Sequence, residues 1–397
     1  SILTACGHIK AIEKGKQIHE EIVSKGLLGQ MTSLGNALVD MYVKCELMIQ
    51  AARVFEELPI RDVVTWNILI GGYSQQLQVK EAMESLENMQ KEGIYPNEIT
   101  FLCILKAGGS LDVHKSESIH KYILNTKMLE KDVMLRSALV NMYAKCGMLG
   151  KAEEVLERFT ARTVASWNAL ITGYANGDQC DEAVNCMARM QEEGLSPDSV
   201  TFLCIFKACS KVKDLCKGER IHAKIVVGGR YLAENNAICN ALVDMYSKCR
   251  NLRKAEEVFH CIQVRDVVSW NARIAGYVVH GQASKALHCY EEMQCEGMSM
   301  DEFTIVSILK SCGSLVAVDK GEKIHAEIVR EGLVGKTCML DTALVDMYAK
   351  CGRIENAQQV FDELPYRNVV SWTALIAGYA HIRKLDLVFN KFNKMIG

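Results

Sequence analysis

The sequence predicts an all-α fold, a solenoid superhelix built from tandem helix–turn–helix repeats. Only 4 prolines occur among the 397 residues, and no stretch is biased toward Gly, Ser, Pro or one charge. Because proline breaks helices and biased segments form linkers, this composition favours helix throughout. Three motifs also return about every 102 residues, and self-similarity of this kind is typical of repeat proteins.

Tryptophan marks the repeat most clearly. Contexts such as TWNILIGGY and SWNALITGY recur around Trp66, Trp167, Trp270 and Trp372, which are 101, 103 and 102 residues apart. A second motif, xALVxMYxKC, begins at residues 36, 137, 240 and 342. A third motif of the type ILxACG is followed by Ile-His, with its histidines at His19, His120, His222 and His325.

Each period holds three related units, and each unit contains two helical patterns with apolar residues at i, i+3, i+4 and i+7. Because one helix pair cannot bury its apolar face alone, stacked pairs should form a continuous core. We divide the chain into a partial long unit (1–31), short units (32–62, 133–163, 236–266, 338–368), Trp units (63–97, 164–198, 267–301), long units (98–132, 199–235, 302–337) and a partial Trp unit (369–397).

Residues that recur with the period are interpreted as core, because packing repeats wherever the unit repeats. These are the tryptophans, the tyrosine of each MYxKC segment, and Cys45, Cys146, Cys249 and Cys351. The histidines lie three units apart, which is too far to share a metal, so we interpret them as packed or capping residues.

Charge and cysteine usage exclude several classes of protein. The net charge is −2, so any basic surface for nucleic acid must be local. The 17 cysteines contain no C-x-x-C pair, which favours reduced thiols over a zinc site. No apolar run approaches the length of a membrane span, and no signal peptide is visible. We therefore predict no metal, no cofactor and no membrane partner.

Residues 63–97, VVTWNILIGGYSQQLQVKEAMESLENMQKEGIYPN, resemble a pentatricopeptide repeat. The alternation of units of 35, 35–37 and 31 residues resembles the plant subclass with P, L and S motifs, meaning standard, long and short. The resemblance covers the whole chain and implies a right-handed superhelix. A tetratricopeptide array is the structural alternative, although its units of about 34 residues use a different aromatic pattern.

In that family the fifth and last residues of a unit contact the base edge. Asp only accepts hydrogen bonds and suits the imino N–H of U or G, whereas Asn also donates and suits C or A. The resemblance further implies that Asn in fifth place selects pyrimidines, and Thr or Ser purines. The predicted base-reading residues are Asn36, Asp62, Asn67, Asn97, Ser137, Thr163, Asn168, Asp198, Asn240, Asp266, Asn271, Asp301, Thr342, Asn368 and Thr373.

Applied from the amino-terminal end, on the 5′ side, these pairs predict the RNA 5′-U-C/U-n-R-U-n-U-U-n-A-R-3′, where R is a purine. The long units carry Leu102, Leu203 and Val306 in fifth place. These side chains cannot hydrogen-bond a base, so we interpret the long units as spacers. For the polar pairs the alternative is helix capping, which Asn, Asp and Ser also favour.

Two further sets of residues are predicted to contact RNA. Mostly apolar second residues would wedge between bases, with helix packing as the alternative: Val64, Met134, Ala165, Ala237, Val268, Met339 and Val370. One lysine near the end of the first helix in each short unit is predicted to contact phosphate. The alternative is that its charge only interacts favourably with the helix dipole. These residues are Lys44, Lys145, Lys248 and Lys350.

No catalytic residues are predicted. The H-x-E match at residues 325–327 lies inside the Ile-His motif and has no downstream P-C-x-x-C. The resemblance implies sequence-specific binding of single-stranded RNA by the targeting module of a C-to-U editing factor in the mitochondrion or chloroplast. The chain lacks a deaminase-like domain, so a deaminase domain in cis or in trans and editing cofactor proteins are the implied partners. RNA stabilisation or processing without editing and a protein-binding scaffold are the alternatives.

Overall fold

The computed structural model describes residues 2–29, 31–110, 113–126, 128–227, 235–364 and 366–396. Helices and turns make up these ranges, with no β-strand among them. None of the described helices combines the length and the hydrophobicity that a membrane crossing requires. The chain divides into two compact units, residues 1–205 and 206–397, which are called the amino-terminal and carboxy-terminal units below.

The helices of the amino-terminal unit alternate between first and second members of helix pairs. They are α1 (Ile2–His8), α2 (Ile12–Ser24), α3 (Thr32–Lys44), α4 (Met48–Glu57), α5 (Val63–Gln75), α6 (Val79–Lys91), α7 (Glu98–Lys106), α8 (Val113–Asn125), the single turn α9 (Met128–Lys131), α10 (Val133–Lys145), α11 (Leu149–Glu157), α12 (Val164–Asn176), α13 (Cys180–Glu192) and, at the boundary, α14 (Ser199–Val212).

The helices of the carboxy-terminal unit follow the same alternation. They are α15 (Leu215–Val227), α16 (Asn236–Lys248), α17 (Leu252–Cys261), α18 (Val267–Val279), α19 (Ala283–Cys295), α20 (Glu302–Leu315), α21 (Val318–Arg330), α22 (Cys338–Lys350), α23 (Ile354–Glu363), α24 (Val369–His381) and α25 (Leu385–Ile396).

Second helices form because their apolar residues fall on one stripe. In α17 the buried residues are Ala255, Val258 and Phe259, which follow the i, i+3, i+4 spacing. The same spacing buries Phe361 in α23 and Phe55 in α4. Burying each phenylalanine contributes about 2 to 3 kcal/mol of transfer free energy, so the stripe fixes which face of the helix turns inward.

First helices pack on first helices, and this positions the site. In the amino-terminal unit α3 contacts α5, α5 contacts α7, and α10 contacts α12. In the carboxy-terminal unit the succession runs through α16, α18, α20, α22 and α24. A second helix such as α4 contacts both its own first helix and the next one. The first helices therefore make one layer in each unit, and successive repeats are joined through it.

The predicted core residues are mostly buried. Trp167 and Trp270 are among the largest fully buried side chains, whereas Trp372 is only half-buried. Cys45 and Cys351 are buried, but Cys146 and Cys249 are half-buried, so the core interpretation is wrong in part for these two. All four cysteines occupy the C-cap position of a first helix.

The recurring histidines are packed against the recurring tyrosines. Each histidine sits on the second helix of a long unit, and its Nδ1 lies 2.8 to 2.9 Å from the tyrosine Oη of the next short unit. The four pairs are His19–Tyr42, His120–Tyr143, His222–Tyr246 and His325–Tyr348. Burial lowers the pKa of each histidine, which favours the neutral ring.

Candidate nucleic-acid interface

The fifth and last residues of the Trp and short units meet at the surface of the first-helix layer. In five units the fifth residue is Asn, and its Nδ2 donates to a side-chain oxygen of the last residue. The pairs are Asn36–Asp62 (3.3 Å), Asn67–Asn97 (3.1 Å), Asn168–Asp198 (2.9 Å), Asn240–Asp266 (3.4 Å) and Asn271–Asp301 (2.8 Å).

The last residue of each of these units also caps the next first helix. Asp62 Oδ1 accepts from the backbone N–H of Thr65 at 2.8 Å, and Asn97 Oδ1 accepts from that of Thr100 at 3.0 Å. The capping alternative is therefore present in the structure together with the pairing. Capping a free N–H contributes about 1 kcal/mol, so these residues stabilise the repeat as well as facing the groove.

A third side chain, which the sequence analysis missed, completes the cluster. The third residue of the following unit is Thr in four cases, and its hydroxyl donates to Oδ1 of the fifth-position Asn. The contacts are Thr65–Asn36 (2.6 Å), Thr100–Asn67 (2.6 Å), Thr201–Asn168 (2.6 Å) and Thr304–Asn271 (2.5 Å). The available signal was the recurrence of Thr or Ser two residues before the fifth place of a unit.

These contacts decide which atoms remain for a ligand. Asp62 uses a single oxygen, Oδ1, for the bonds from Asn36 and Thr65, so Oδ2 takes none of them. Asn97 likewise receives its contacts on Oδ1, which leaves the amide Nδ2 outside the cap. Capping thus orients these last residues: Asp62 presents an acceptor, and Asn97 presents a donor. Asp301 differs, because it accepts from Thr304 on Oδ1 and from Asn271 on Oδ2.

Hydrogen bonding keeps the paired aspartates ionised. Burial acts to raise the pKa of Asp62, but the bonds from Thr65 and Asn36 outweigh it and hold the pKa below the ordinary 3.8. The same balance lowers the pKa of Asp198, Asp266 and Asp301. Each of these side chains is therefore an obligate acceptor near neutral pH.

The two members of a pair differ in exposure. Asn67, Asn168, Asn240 and Asn271 are 7 to 9% exposed, so the amide lies at the floor of the groove. Asp62, Asn97, Asp198 and Asp266 are half-exposed, and Asp301 is exposed. The last residue is thus the more accessible member of the pair.

The remaining predicted pairs are built differently. Ser137 and Thr163 lie 3.1 Å apart through their hydroxyls. Thr342 donates to the Cys338 carbonyl of its own helix, and no hydrogen bond joins Thr342 and Asn368 within the described residues. A hydroxyl that reaches its own helix backbone has no donor left for a partner, which is the usual behaviour of Thr in a helix. Thr373 donates to Val369 in the same way.

All predicted stacking residues are exposed. Val64 is 54% exposed, Met134 71% and Val370 61%. The smaller Ala165 and Ala237 are exposed too. Helix packing, the alternative interpretation, is therefore wrong for these side chains, because their apolar surface faces solvent.

Two grooves in the carboxy-terminal unit combine these features. The first, of about 650 Å³, lies along α16, α18 and α20 and is lined by Asn240, Asp266, Val268, Asn271 and Asp301 among others. The second, of about 610 Å³, lies along α20, α22 and α24 and includes Met339, Thr342, Asn368, Val370 and Thr373. An apolar second residue therefore separates two consecutive polar pairs in the first groove.

The long units lack the polar pair. Leu102 and Leu203 are half-buried and Val306 is buried. At the end of one long unit, Asp132 caps α10 by accepting from the backbone N–H groups of Met134 and Leu135. The role of these units as spacers remains a prediction.

Three of the four predicted phosphate-binding lysines are held by aspartates one helical turn earlier. Lys44 lies 2.7 Å from Asp40, Lys248 2.8 Å from Asp244, and Lys350 2.7 Å from Asp346. In the remaining short unit, 133–163, the corresponding residue is Asn141. The described residues include no carboxylate paired with Lys145. Among these four lysines, Lys145 is therefore the one whose charge is least engaged by the protein itself.

A second cluster that the sequence analysis missed, of an arginine with aromatic and acidic partners, lies next to the capping residue. The guanidinium of Arg61 lies 4.8 Å from the Phe55 ring centre and forms an ion pair with Glu92 at 2.6 Å. The Phe55 ring contacts Trp66 edge-to-face. Arg precedes the last residue in every short unit, at positions 61, 162, 265 and 367. This arginine fixes the chain segment that delivers the capping side chain.

Within the described residues no group of three or more His, Cys, Asp and Glu side chains is arranged to hold a metal ion. The His325 ring of the H-x-E match is engaged with Tyr348 at 2.9 Å. The interface is therefore assembled from helix-start residues, and its chemistry is that of hydrogen bonding and apolar contact.

Two models of one repeat family match the chain. The model described as PPR repeat family matches residues 61–107, 162–211 and 265–314. The model described as PPR repeat matches residues 36–63, 136–162, 237–267, 342–369 and 370–397, so that the matches together cover more than half of the chain. The chain belongs to the pentatricopeptide repeat family. This membership confirms the resemblance to the pentatricopeptide repeat and sets aside the tetratricopeptide alternative, while the subclass with P, L and S motifs stays a prediction.

Relatives of this pentatricopeptide repeat chain come from Arabidopsis thaliana. A chloroplastic pentatricopeptide repeat-containing protein is 35% identical over 382 residues, which are 95% of this chain and 46% of the relative. A mitochondrial one is 33% identical over 387 residues, 96% of this chain and 49% of the relative. The chain thus spans about half the length of these relatives.

A solved structure shares the fold. The pentatricopeptide repeat protein PPR10 in complex with an 18-nucleotide psaJ RNA element matches with a TM-score of 0.72 at 18% identity. The match covers 92% of this chain and 55% of that chain. The predicted all-α solenoid class is confirmed by this likeness and by the helix pairs described above.

Proposed function

We propose that the chain binds single-stranded RNA one base per repeat, as the targeting module of an organellar C-to-U RNA editing factor. The observation that carries the proposal is the pair of fifth and last residues on the groove surface, flanked by an exposed apolar residue. The RNA complex of PPR10 supports RNA as the ligand. Relatives named chloroplastic and mitochondrial support an organelle as the location.

The hydrogen-bonding pattern of an Asn–Asp pair matches the edge of U. The free oxygen of an ionised Asp accepts from the imino N–H, which C lacks. The Asn amide donates one hydrogen to the Asp and keeps a second, which suits a base carbonyl beside the imino group. In the Asn67–Asn97 pair the cap occupies Oδ1 of Asn97, so its amide donates instead and suits the bare ring nitrogen of C.

Apolar second residues would occupy the space between neighbouring bases. Val268 lies between the pair of Asn240 and the pair of Asn271 in one groove. A base held at each pair would place its face against this side chain, and contacts of this kind are largely indifferent to base identity. The second residue therefore contributes affinity, and the polar pair contributes selectivity.

Binding assays with matched RNAs test the code. The chain should bind 5′-U-C/U-n-R-U-n-U-U-n-A-R-3′ at least about tenfold more tightly than the RNA with its four U positions changed to G, because one well-matched polar contact discriminates by about 1 to 3 kcal/mol. Fluorescence anisotropy at fixed salt measures both dissociation constants. Equal constants would contradict the base assignments.

The editing role needs a separate test in the plant. Loss of the full-length protein should reduce C-to-U conversion at a site 3′ of the matching sequence and leave transcript ends unchanged. Altered transcript ends or abundance with normal conversion would favour the alternative, an RNA stabilisation or processing factor. Sequencing of organellar transcripts distinguishes the two roles.

A further inference from the structure

The threonines in third place contact the fifth-position asparagines but lie outside the proposed base-reading pairs. The first of them, Thr65, donates to Asn36 Oδ1 at 2.6 Å, and Asn36 Nδ2 donates to Asp62. Both polar atoms of the amide are then engaged, one as acceptor and one as donor. A carboxamide fixed at both ends has one orientation, and its remaining N–H has one direction.

One pair of the same composition lacks this contact. Asn240 and Asp266 repeat the Asn–Asp combination in a short unit, but the third residue of the next unit is Ser269. The Ser269 hydroxyl donates to Asp266 Oδ1 at 2.7 Å. Asn240 Oδ1 is buried without a hydrogen-bond partner, and its Nδ2 lies 3.4 Å from Asp266. The Asn240 amide is therefore held by one long bond.

The difference follows from the side chains in third place. Two other serines occupy it, but the fifth residues of the units they follow are Ser137 and Thr342, not Asn. Both turn their hydroxyl toward the carbonyl of their own capping residue: Ser166 toward Thr163 and Ser371 toward Asn368. Threonine carries a γ-methyl group that restricts rotation about χ1. All four threonines, which follow both short and Trp units, place the hydroxyl 2.5 to 2.6 Å from Oδ1 of the fifth-position Asn. The same hydroxyl lies farther, at 2.8 to 3.1 Å, from Oδ1 of the last residue.

The geometry points to the third residue of the following repeat as a positioning residue for base selection, which rests on the RNA-binding function proposed above. Thr in this place locks the amide of the preceding fifth-position Asn, so that its free N–H meets the base at a fixed angle. Ser leaves the amide loosely held. The pairs of Asn36 and Asn240 therefore differ in selectivity for U although their two base-reading residues are identical.

Reciprocal exchange of the two residues tests the inference. The variants are Thr65→Ser, Thr65→Val and Ser269→Thr, and the Val variant keeps the shape of Thr without its hydroxyl. For each chain, dissociation constants are measured with RNAs that carry U or C at the base opposite Asn36, or at the base opposite Asn240. The ratio of the two constants is the selectivity at that base.

We expect Ser269→Thr to raise the selectivity opposite Asn240 about fivefold, and the Thr65 variants to lower it opposite Asn36 about fivefold. A fivefold change corresponds to about 1 kcal/mol, the size of one hydrogen bond. Selectivity at the base opposite Asn168 serves as the internal control and should not change. Thermal unfolding of each variant shows whether the fold is retained.

The possible outcomes separate the positioning role from the proposed function. If the wild-type chain selects U opposite Asn36 but the exchanges leave the ratios unchanged, the positioning role is wrong and the proposed function stands. A variant that weakens binding to every RNA equally would show a structural role alone and would also overturn it. If the wild-type chain binds RNA without preference at any paired position, the proposed function itself fails. Should Thr65→Val not fold, Ser269→Thr, which adds one methyl group, tests the same inference.

Discussion

The Trp and long repeats differ most at the fifth residue of the first helix. In the Trp unit 164–198, Asn168 joins Asp198 and Thr201 in a closed cluster. In the long unit 302–337, Val306 is buried in the same place, and Thr337 at the unit's end donates to Glu302 instead. A buried polar group must first be satisfied within the protein. The polar Asn168 therefore needs Asp198 and Thr201 as partners, whereas the apolar Val306 needs none.

Replacing Asn168 by Leu should give the largest effect, because it turns a Trp unit into a long-type unit. Asp198 loses its amide donor and Thr201 its acceptor, so two polar groups are left without these bonds. We expect the free energy of unfolding to fall by about 2 to 3 kcal/mol and the preference for U at this base to vanish. Urea unfolding and RNA titration measure the two effects. An unchanged preference for U would contradict the claim that the fifth residue distinguishes the Trp unit from the long unit.

Replacing Asp198 by Asn should change specificity with little loss of stability, since Asn also caps well and Asp198 accepts from both Asn168 and Thr201 on Oδ1. The cap would engage Oδ1 and leave an amide donor in the groove, as at Asn97. We expect the preference at this base to change from U to C by about tenfold, or about 1.4 kcal/mol. The matched control is Asp132→Asn in a long unit, which should leave base preference unaltered. A similar shift in both variants would mean that long units also select bases.

Replacing Asp244 by Asn should release Lys248 from its ion pair and remove a negative charge from the groove. We expect affinity for RNA to rise about threefold at low salt, since more positive charge becomes available to phosphate. Lys145→Ala should weaken binding more than Lys248→Ala, because Lys145 has Asn141 in place of an aspartate. Titrations at several salt concentrations test this, and salt slopes unchanged from the wild-type chain in both lysine variants would contradict the phosphate role.

Acid should weaken the contacts between long and short units before it weakens the polar pairs. Burial lowers the pKa of His325, although Glu363 opposes the shift. A lowered pKa means that the neutral ring stabilises the fold above the ordinary 6.5, and that this contribution is lost as pH falls through the lowered value. The paired aspartates also have lowered pKa values, and their contribution to stability is lost only below pH 3.8. We expect the thermal unfolding midpoint of the wild-type chain to decline between pH 7 and 5. The midpoint of the His325→Gln variant should decline less over the same range. Equal declines would exclude the histidine as the cause.

Much of the fold could be predicted because helix pairs repeat their signals. The apolar stripes and the recurring tryptophans depend on local spacing, which the sequence displays directly. The partial exposure of Cys146 and Cys249 could not be seen, since their motif is the same as that of the buried Cys45. Burial at a helix end depends on where the chain turns next, and spacing within the helix does not report this.

The residues of the site could be predicted from the sequence, but the hydrogen bonds between them could not. Asn and Asp at helix starts serve capping and base contact equally well, and only coordinates show that one side chain does both. The ion pair of Lys248 with Asp244 could have been anticipated from the i, i+4 spacing. The contact from Thr65 to Asn36 could not, because the two residues lie on different helix pairs and their distance is set by packing.

The contact between the end of one repeat and the start of the next limits how repeats can be exchanged. Asp62 lies in one repeat, yet the helix it caps and the hydroxyl of Thr65 belong to another. A crossover placed between residues 62 and 63 would separate Asn36 from the side chain that fixes its amide. The transferable segment is therefore offset from the helix pair and runs from residue 36 to residue 65, so chimeric arrays joined at these points should retain the specificity of each donor.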